Sequence, residues 1–110
     1  MVAAFCALPG LLNAANAVQW QPSMSDVSAL ERKLVLPREA EPLRSYARYY
    51  TGEIAGGRKI IRGYYLGWGM PGIYLKPSET EVMDGGCSVI AVVFDVQSAR
   101  ISGVACNGVA

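Results

Sequence analysis

The chain carries three cysteines, Cys6, Cys87 and Cys106, and no histidine. Without histidine there is no imidazole to activate a serine or cysteine nucleophile, no imidazole general base and no zinc site with histidine ligands. The cysteines form no C-x-x-C pair, so a metal site built on thiolates has little to stand on and none is expected. Acid–base chemistry falls to carboxylates. Glu79, Glu81 and Asp84 cluster, but Ser78-Glu79-Thr80-Glu81 reads as a helix capping box, in which serine and glutamate side chains satisfy free backbone donors. Asp84 before Gly85-Gly86 is an ordinary turn aspartate. Glycosidase-type hydrolysis needs two carboxylates flanking one bond, and no spacing here indicates such a pair. A small hydrolase using Asp84 or a neighbouring glutamate therefore ranks last among the functional readings, and the chain is expected not to be an enzyme.

Gly67-Trp68-Gly69-Met70-Pro71-Gly72 spells G-x-G-x-x-G. That motif binds a pyrophosphate only where it opens a helix after a strand. Here Pro71 and the extended stretch GIYL follow, so the segment reads as a glycine-rich turn and no cofactor is expected.

Tyr46, Tyr49, Tyr50, Tyr64, Tyr65, Trp68 and Tyr74 are dense for a chain of this length, and Arg48, Arg58, Lys59 and Arg62 are interleaved with them. On strand alternation Tyr46, Arg48 and Tyr50 share one face and Tyr49 takes the other. Such a set can form a core with hydroxyls at its rim, which is the leading reading. It can also form a binding surface, for which Tyr46, Arg48, Tyr50, Tyr64 and Trp68 are the candidates and an envelope protein or a glycan the expected partner. Ten Lys or Arg stand against nine Asp or Glu, a balance without the basic excess of a nucleic-acid binder.

The cysteines depend on compartment. Val2 to Leu12 is an apolar run of signal-peptide length, followed by Asn13, Asn16 and the small-x-small pattern Ala15-Asn16-Ala17. Residues 1–17 are expected to be a signal peptide without the usual basic start, and residues 18–110 one small domain. The run is short for a bilayer span, so none is expected in the mature form. Cleavage would remove Cys6 and leave Cys87 and Cys106, an even pair that in an oxidising compartment reads as one disulfide. A redox-active pair and two unbridged buried thiols are the alternatives.

The elements that must position these residues follow from periodicity. Ser23 or Ser25 can cap a helix running to about Leu34, with Val27, Leu30 and Leu34 on one stripe, Asp26 in its first turn and Arg32 and Lys33 in its last. Pro37 and Pro42 then impose an extended connection. Residues 45–66 read as a β-hairpin about Ala55-Gly56-Gly57. At most one helical turn fits at 78–83, before Asp84-Gly85-Gly86. Residues 87–95 and 100–106 form a second hairpin. Its first strand is apolar on both faces, and it is expected in the middle of the sheet with the helix over one face.

The register of that hairpin decides the cysteines. A two-residue loop at Val96-Gln97 sets them face to face, near the roughly 3.8 Å between β-carbons that a bridge needs, but Val-Gln is poor turn chemistry. A four-residue loop over 96–99 is more natural. It sets them diagonal, about 7 Å or more apart, so a bulge or end distortion is then required. Gly85, Gly86 and Gly108 make distortion cheap.

Taken together, LP at 36–37, YARYY at 46–50, PGIYL at 71–75, DGGCSV at 84–89 and CNG at 106–108 resemble a group of small, uncharacterised exported proteins from proteobacteria. The resemblance implies export and treats Cys87 and Cys106 as a unit; it implies no activity.

The expected fold is α+β: an antiparallel sheet of four or five strands built from two hairpins, with one N-terminal helix packed on a face. The expected function is a non-enzymatic binding or structural protein of the cell envelope, periplasmic or secreted. An inhibitor of an envelope hydrolase that presents loop 67–72 is the alternative.

Overall fold

The computed structural model describes residues 20–108. Cys6 and the expected signal peptide and cleavage site lie outside the described residues.

Ser23 begins helix α1 (Met24–Lys33). Its hydroxyl accepts from the Asp26 amide at 3.1 Å, and the Asp26 carboxylate accepts from the Ser23 amide at 2.9 Å. This reciprocal pair satisfies two donors that the first helical turn would otherwise leave free. Val27 and Leu30 are fully buried, and Leu34, where the helix ends, packs on the same core. A 3₁₀ turn at Leu43–Ser45 delivers the chain to β1 (Ala47–Ala55). Strand β2 (Arg58–Leu66) returns antiparallel, pairing Ala55 with Arg58 and Ala47 with Leu66. The connection is Gly56-Gly57, with φ of 57° and 78°. Two consecutive positive φ values suit a two-residue hairpin turn, and glycine alone takes both without strain.

Strand β3 (Gly72–Tyr74) corrects the expectation of a purely antiparallel sheet, because it pairs parallel to β1. Leu66 and Gly72 both pair with Ala47, one on each side of β1. Loop 67–71 therefore hops over the start of β1, and a strand that begins there must run the same way as β1. After the connection 75–85 and a 3₁₀ turn at Gly86–Ser88, strands β4 (Val89–Asp95) and β5 (Arg100–Cys106) form the second hairpin. The sheet order is β3-β1-β2-β4-β5. The middle strand is thus β2. Strand β4, expected in the middle, lies one place from the edge, and its second face is partly uncovered at the exposed Ala91. Residues 78–83 are not helical. Ser78 instead closes a local turn, its hydroxyl donating to the Thr80 carbonyl at 2.9 Å and accepting from the Thr80 amide at 3.1 Å. No apolar stripe follows the Ser-x-x-Glu pattern there, so nothing anchors a helix.

The core lies between α1 and one face of the sheet. Val27 and Leu30 meet Tyr50, Ile61, Tyr65, Ile90, Val92 and Phe94 in one buried cluster. The opposite sheet face carries Tyr49, Thr51, Arg62, Tyr64, Ala91 and Val93, partly crossed by residues 77–81. Among the described residues no helix is long and apolar enough to cross a membrane.

Candidate functional site

Strand alternation sorts the Tyr/Arg set into two groups with different roles. Tyr46 and Tyr50 are fully buried and Arg48 is 9% exposed, all under the helix side of the sheet. Burial takes these three out of the alternative binding surface. They form instead an internal network. Arg48 Nη1 donates to both Glu31 oxygens at 2.9 Å, and the Tyr50 hydroxyl donates to Glu31 Oε2 at 2.7 Å. The Tyr50 and Tyr65 hydroxyls lie 2.7 Å apart, and Arg48 Nε donates to the Tyr46 carbonyl at 3.3 Å. Burial first, then the neighbouring Tyr65 and Glu31, push the Tyr50 hydroxyl far above its ordinary pKa. Burial likewise pushes Tyr65 up, against the lowering effect of its hydrogen bond to Tyr50. Buried polar groups must be paired, and these are. The network ties α1 to β1 and β2.

Tyr64, the fourth candidate, is half-buried on the open sheet face, where its hydroxyl accepts from the Val82 amide at 3.0 Å. It lines a groove of about 430 Å³ with Tyr49, Thr51, Arg62, Ala91 and residues 77–81. Tyr49 stacks on Tyr74 with ring centroids 5.0 Å apart. Arg62 pairs with Glu53 at 3.0 Å, and that hydrogen bond raises its pKa above the ordinary value. Glu79 and Glu81 reach this groove and Asp84 does not line it. Both glutamates come from the one segment that walls the groove.

The remaining candidate, Trp68, stands at the end of the sheet where β2 finishes and β4 begins. It is 57% exposed and Met70 is 76% exposed. Their loop is pinned at several points: the Gly67 amide donates to the Ser88 carbonyl at 2.8 Å, the Gly72 amide to Tyr46 at 3.3 Å and the Tyr74 hydroxyl to Met70 at 2.8 Å. The loop opens no helix, so the G-x-G-x-x-G match is a turn.

Beneath this loop lies the disulfide. Cys87 and Cys106 are bridged, with Cα atoms 4.6 Å apart. The four-residue loop register holds at the hairpin tip, where Asp95 pairs with Arg100. The distortion that joins the cysteines lies at the disulfide end of the ladder, because the bulge near the tip sets Cys106 opposite Ile90, one place further from Cys87. Register shifts between Val93, paired with Gly103, and Phe94, paired with Ile101, which leaves Ser102 as a bulge. At the other end the 3₁₀ turn folds Cys87 back beside Cys106, entered through Gly85 and Gly86 at φ of 111° and 56°. The tail is then sewn down. The Asn107 amide donates to Val89 at 2.9 Å, and its side-chain Nδ2 donates to Val82 at 2.6 Å and Asp84 at 3.1 Å.

Tyr46 connects this turn to the segment after α1. Its hydroxyl donates to the Cys87 carbonyl at 2.6 Å and accepts from the Glu41 amide at 3.1 Å. Between these parts opens a cleft of about 370 Å³, lined by Glu39, Glu41, Tyr46, Gly67, Trp68, Cys87 and Ser88. Sequence reasoning singled out Trp68 but missed Glu39 and Glu41. They lie far from it along the chain, and no local pattern marks two glutamates in a proline-bounded connection. Among the described residues no group of three or more Cys, Asp or Glu side chains is placed to hold a metal ion.

No protein-family model matches this chain, and no curated protein or solved structure does either.

Proposed function

We propose that this is an exported binding protein, without a reaction of its own, that docks on a protein of the cell envelope through loop 67–71. One observation carries the reading: Trp68 and Met70 are exposed on a loop held rigid by backbone hydrogen bonds. A large apolar side chain in water loses the stabilisation that burial brings. Tryptophan held in one place is also the side chain most often found to dominate protein interfaces. A pinned loop loses little conformational freedom on docking, which favours affinity. Export is supported by the Cys87–Cys106 bridge, which oxidising compartments favour, and by the apolar N-terminal run with its Ala15-Asn16-Ala17 pattern. An inhibitor of an envelope hydrolase is the sharpest form of this reading.

The test is capture from periplasmic extract on immobilised, oxidised protein, with wild type compared against Trp68→Ala. A protein retained by wild type and lost with Trp68→Ala supports docking through the loop. Identical capture by the two forms overturns it.

The groove on the open sheet face favours a second reading, in which the ligand is an envelope glycan. Tyr49 and Tyr64 line that groove beside Thr51 and Arg62, and aromatic faces with polar neighbours suit sugar rings. Binding of soluble peptidoglycan fragments that is lost in Tyr49→Ala supports this reading, and no binding by wild type removes it.

A further inference from the structure

We infer that the cleft beside Trp68 receives an arginine side chain of the docked partner. This deepens the proposed function and rests on it.

The cleft has one aromatic wall and one acidic wall. Trp68 supplies the first and Glu39 and Glu41 the second. Among the described residues no cationic side chain lines the cleft. Among the described residues the ion pairs are Arg48–Glu31, Arg58–Asp95 and Arg62–Glu53, so neither Glu39 nor Glu41 has its charge matched by a basic side chain of this chain. The negative charge is local, since the whole chain carries a formal net charge of +1. A partner that fits must therefore bring a cation.

The chemistry of the lining favours guanidinium over ammonium. A planar guanidinium can lie against an indole face while its N–H edge donates to carboxylates, whereas an ammonium is compact and more strongly hydrated. Charge-assisted hydrogen bonds to carboxylate are the stronger kind. At about 370 Å³ the cleft lies at the small end of ligand pockets, which suits one long side chain rather than a folded element. Its floor is fixed, because the Tyr46 hydroxyl is already spent on Cys87 and Glu41. The same loop also exposes Met70, so a partner that carries an arginine and an apolar residue matches the loop.

The experiment is an NMR titration of the full-length, oxidised protein with the peptide acetyl-Ala-Arg-Ala-amide. Its citrulline counterpart has the same shape and no charge. The expected result is a saturable shift of the Trp68 indole N–H and the Gly67 and Ser88 amides. Affinity should be about tenfold weaker for the citrulline peptide, and about tenfold weaker for the arginine peptide in Glu39→Gln/Glu41→Gln. Added salt should weaken the arginine peptide and leave the citrulline peptide unchanged. Both glutamates are exposed, so the double variant keeps its fold, checked by unchanged shifts at Val27 and Ile61. Equal affinity for the two peptides, no saturable shift at Trp68, or full affinity in the double glutamine variant would each overturn the inference. The extract experiment separates the two ideas. Capture lost in Trp68→Ala but intact in the double glutamine variant removes the arginine site and leaves loop docking standing. Arginine binding with capture indifferent to Trp68 removes loop docking and leaves the site.

Discussion

The Tyr46 hydroxyl donates to the carbonyl of Cys87 at 2.6 Å across 41 positions of sequence. Because the same oxygen accepts from the Glu41 amide, one buried hydroxyl fixes the acidic wall of the cleft against the disulfide turn. Tyr46→Phe leaves that carbonyl and that amide without their partner. A destabilisation of roughly 1–3 kcal/mol is expected in urea unfolding, with chemical-shift changes concentrated at Glu41, Cys87 and Ser88. Changes spread evenly over the sheet would show that the hydroxyl does not hold these two segments together.

The bridge between Cys87 and Cys106 closes a loop with a sequence separation of 19. Replacing both cysteines by alanine is expected to destabilise the fold by something on the order of 3 kcal/mol, chiefly by freeing the unfolded chain. The loss is smaller to the extent that the β4–β5 hairpin persists in the unfolded state. Hydrogen exchange in the double variant should quicken first at Asn107, whose amide bonds to Val89 and Gly86. A midpoint within error of wild type would place the tie outside the stabilising interactions.

Alkali tests the internal network. Tyr50 and Tyr65 have folded pKa values raised above the ordinary tyrosine value. The unfolded chain therefore gives up these protons near pH 10 while the folded chain keeps them. Stability carried by the two neutral hydroxyls is fully present below about pH 10 and falls as pH rises beyond it. In Tyr50→Phe this alkaline loss should be shallower. Tyrosinate absorbance from these two rings should appear together with unfolding rather than before it. Early, unfolding-independent titration of all six tyrosines would contradict the burial of Tyr50 and Tyr65.

Acid tests the tip of the second hairpin. The Arg58 guanidinium beside Asp95, with the Ser98 amide, holds the Asp95 carboxyl down at about 2. A depressed folded pKa means stability present above the unfolded value of about 3.9 and lost as pH falls toward 2. Asp95→Asn should remove the part of the acid dependence that lies between those values, read as the urea midpoint across that range. An unchanged acid limb would show that the Arg58–Asp95 pair is too well solvated to matter, as many exposed ion pairs are.

Several elements were legible in the chain because their causes are local. The stripe Val27, Leu30, Leu34 and the charges at its two ends required a helix. Gly56-Gly57 required a tight turn, and the turn residues at 96–99 fixed the second hairpin well enough to demand a distortion near the cysteines. The separation of Tyr46, Arg48 and Tyr50 from Tyr49 follows from the pleat of any strand. What misled was a local signal without support. Ser78-Glu79-Thr80-Glu81 carries the capping pattern, but the helix with a capping box begins at Ser23, where an apolar stripe follows.

Sequence by itself thus determined the helix and the two hairpins, since each rests on residues close along the chain. Tertiary structure alone decided which face of β1 the helix covers, since tyrosine occurs on both and periodicity cannot rank them. It also decided that β3 runs parallel to β1, and that Glu39 and Glu41 meet Trp68. Those outcomes depend on where the chain is led after a loop, which is set by packing across the whole domain and not by any residue's neighbours in sequence.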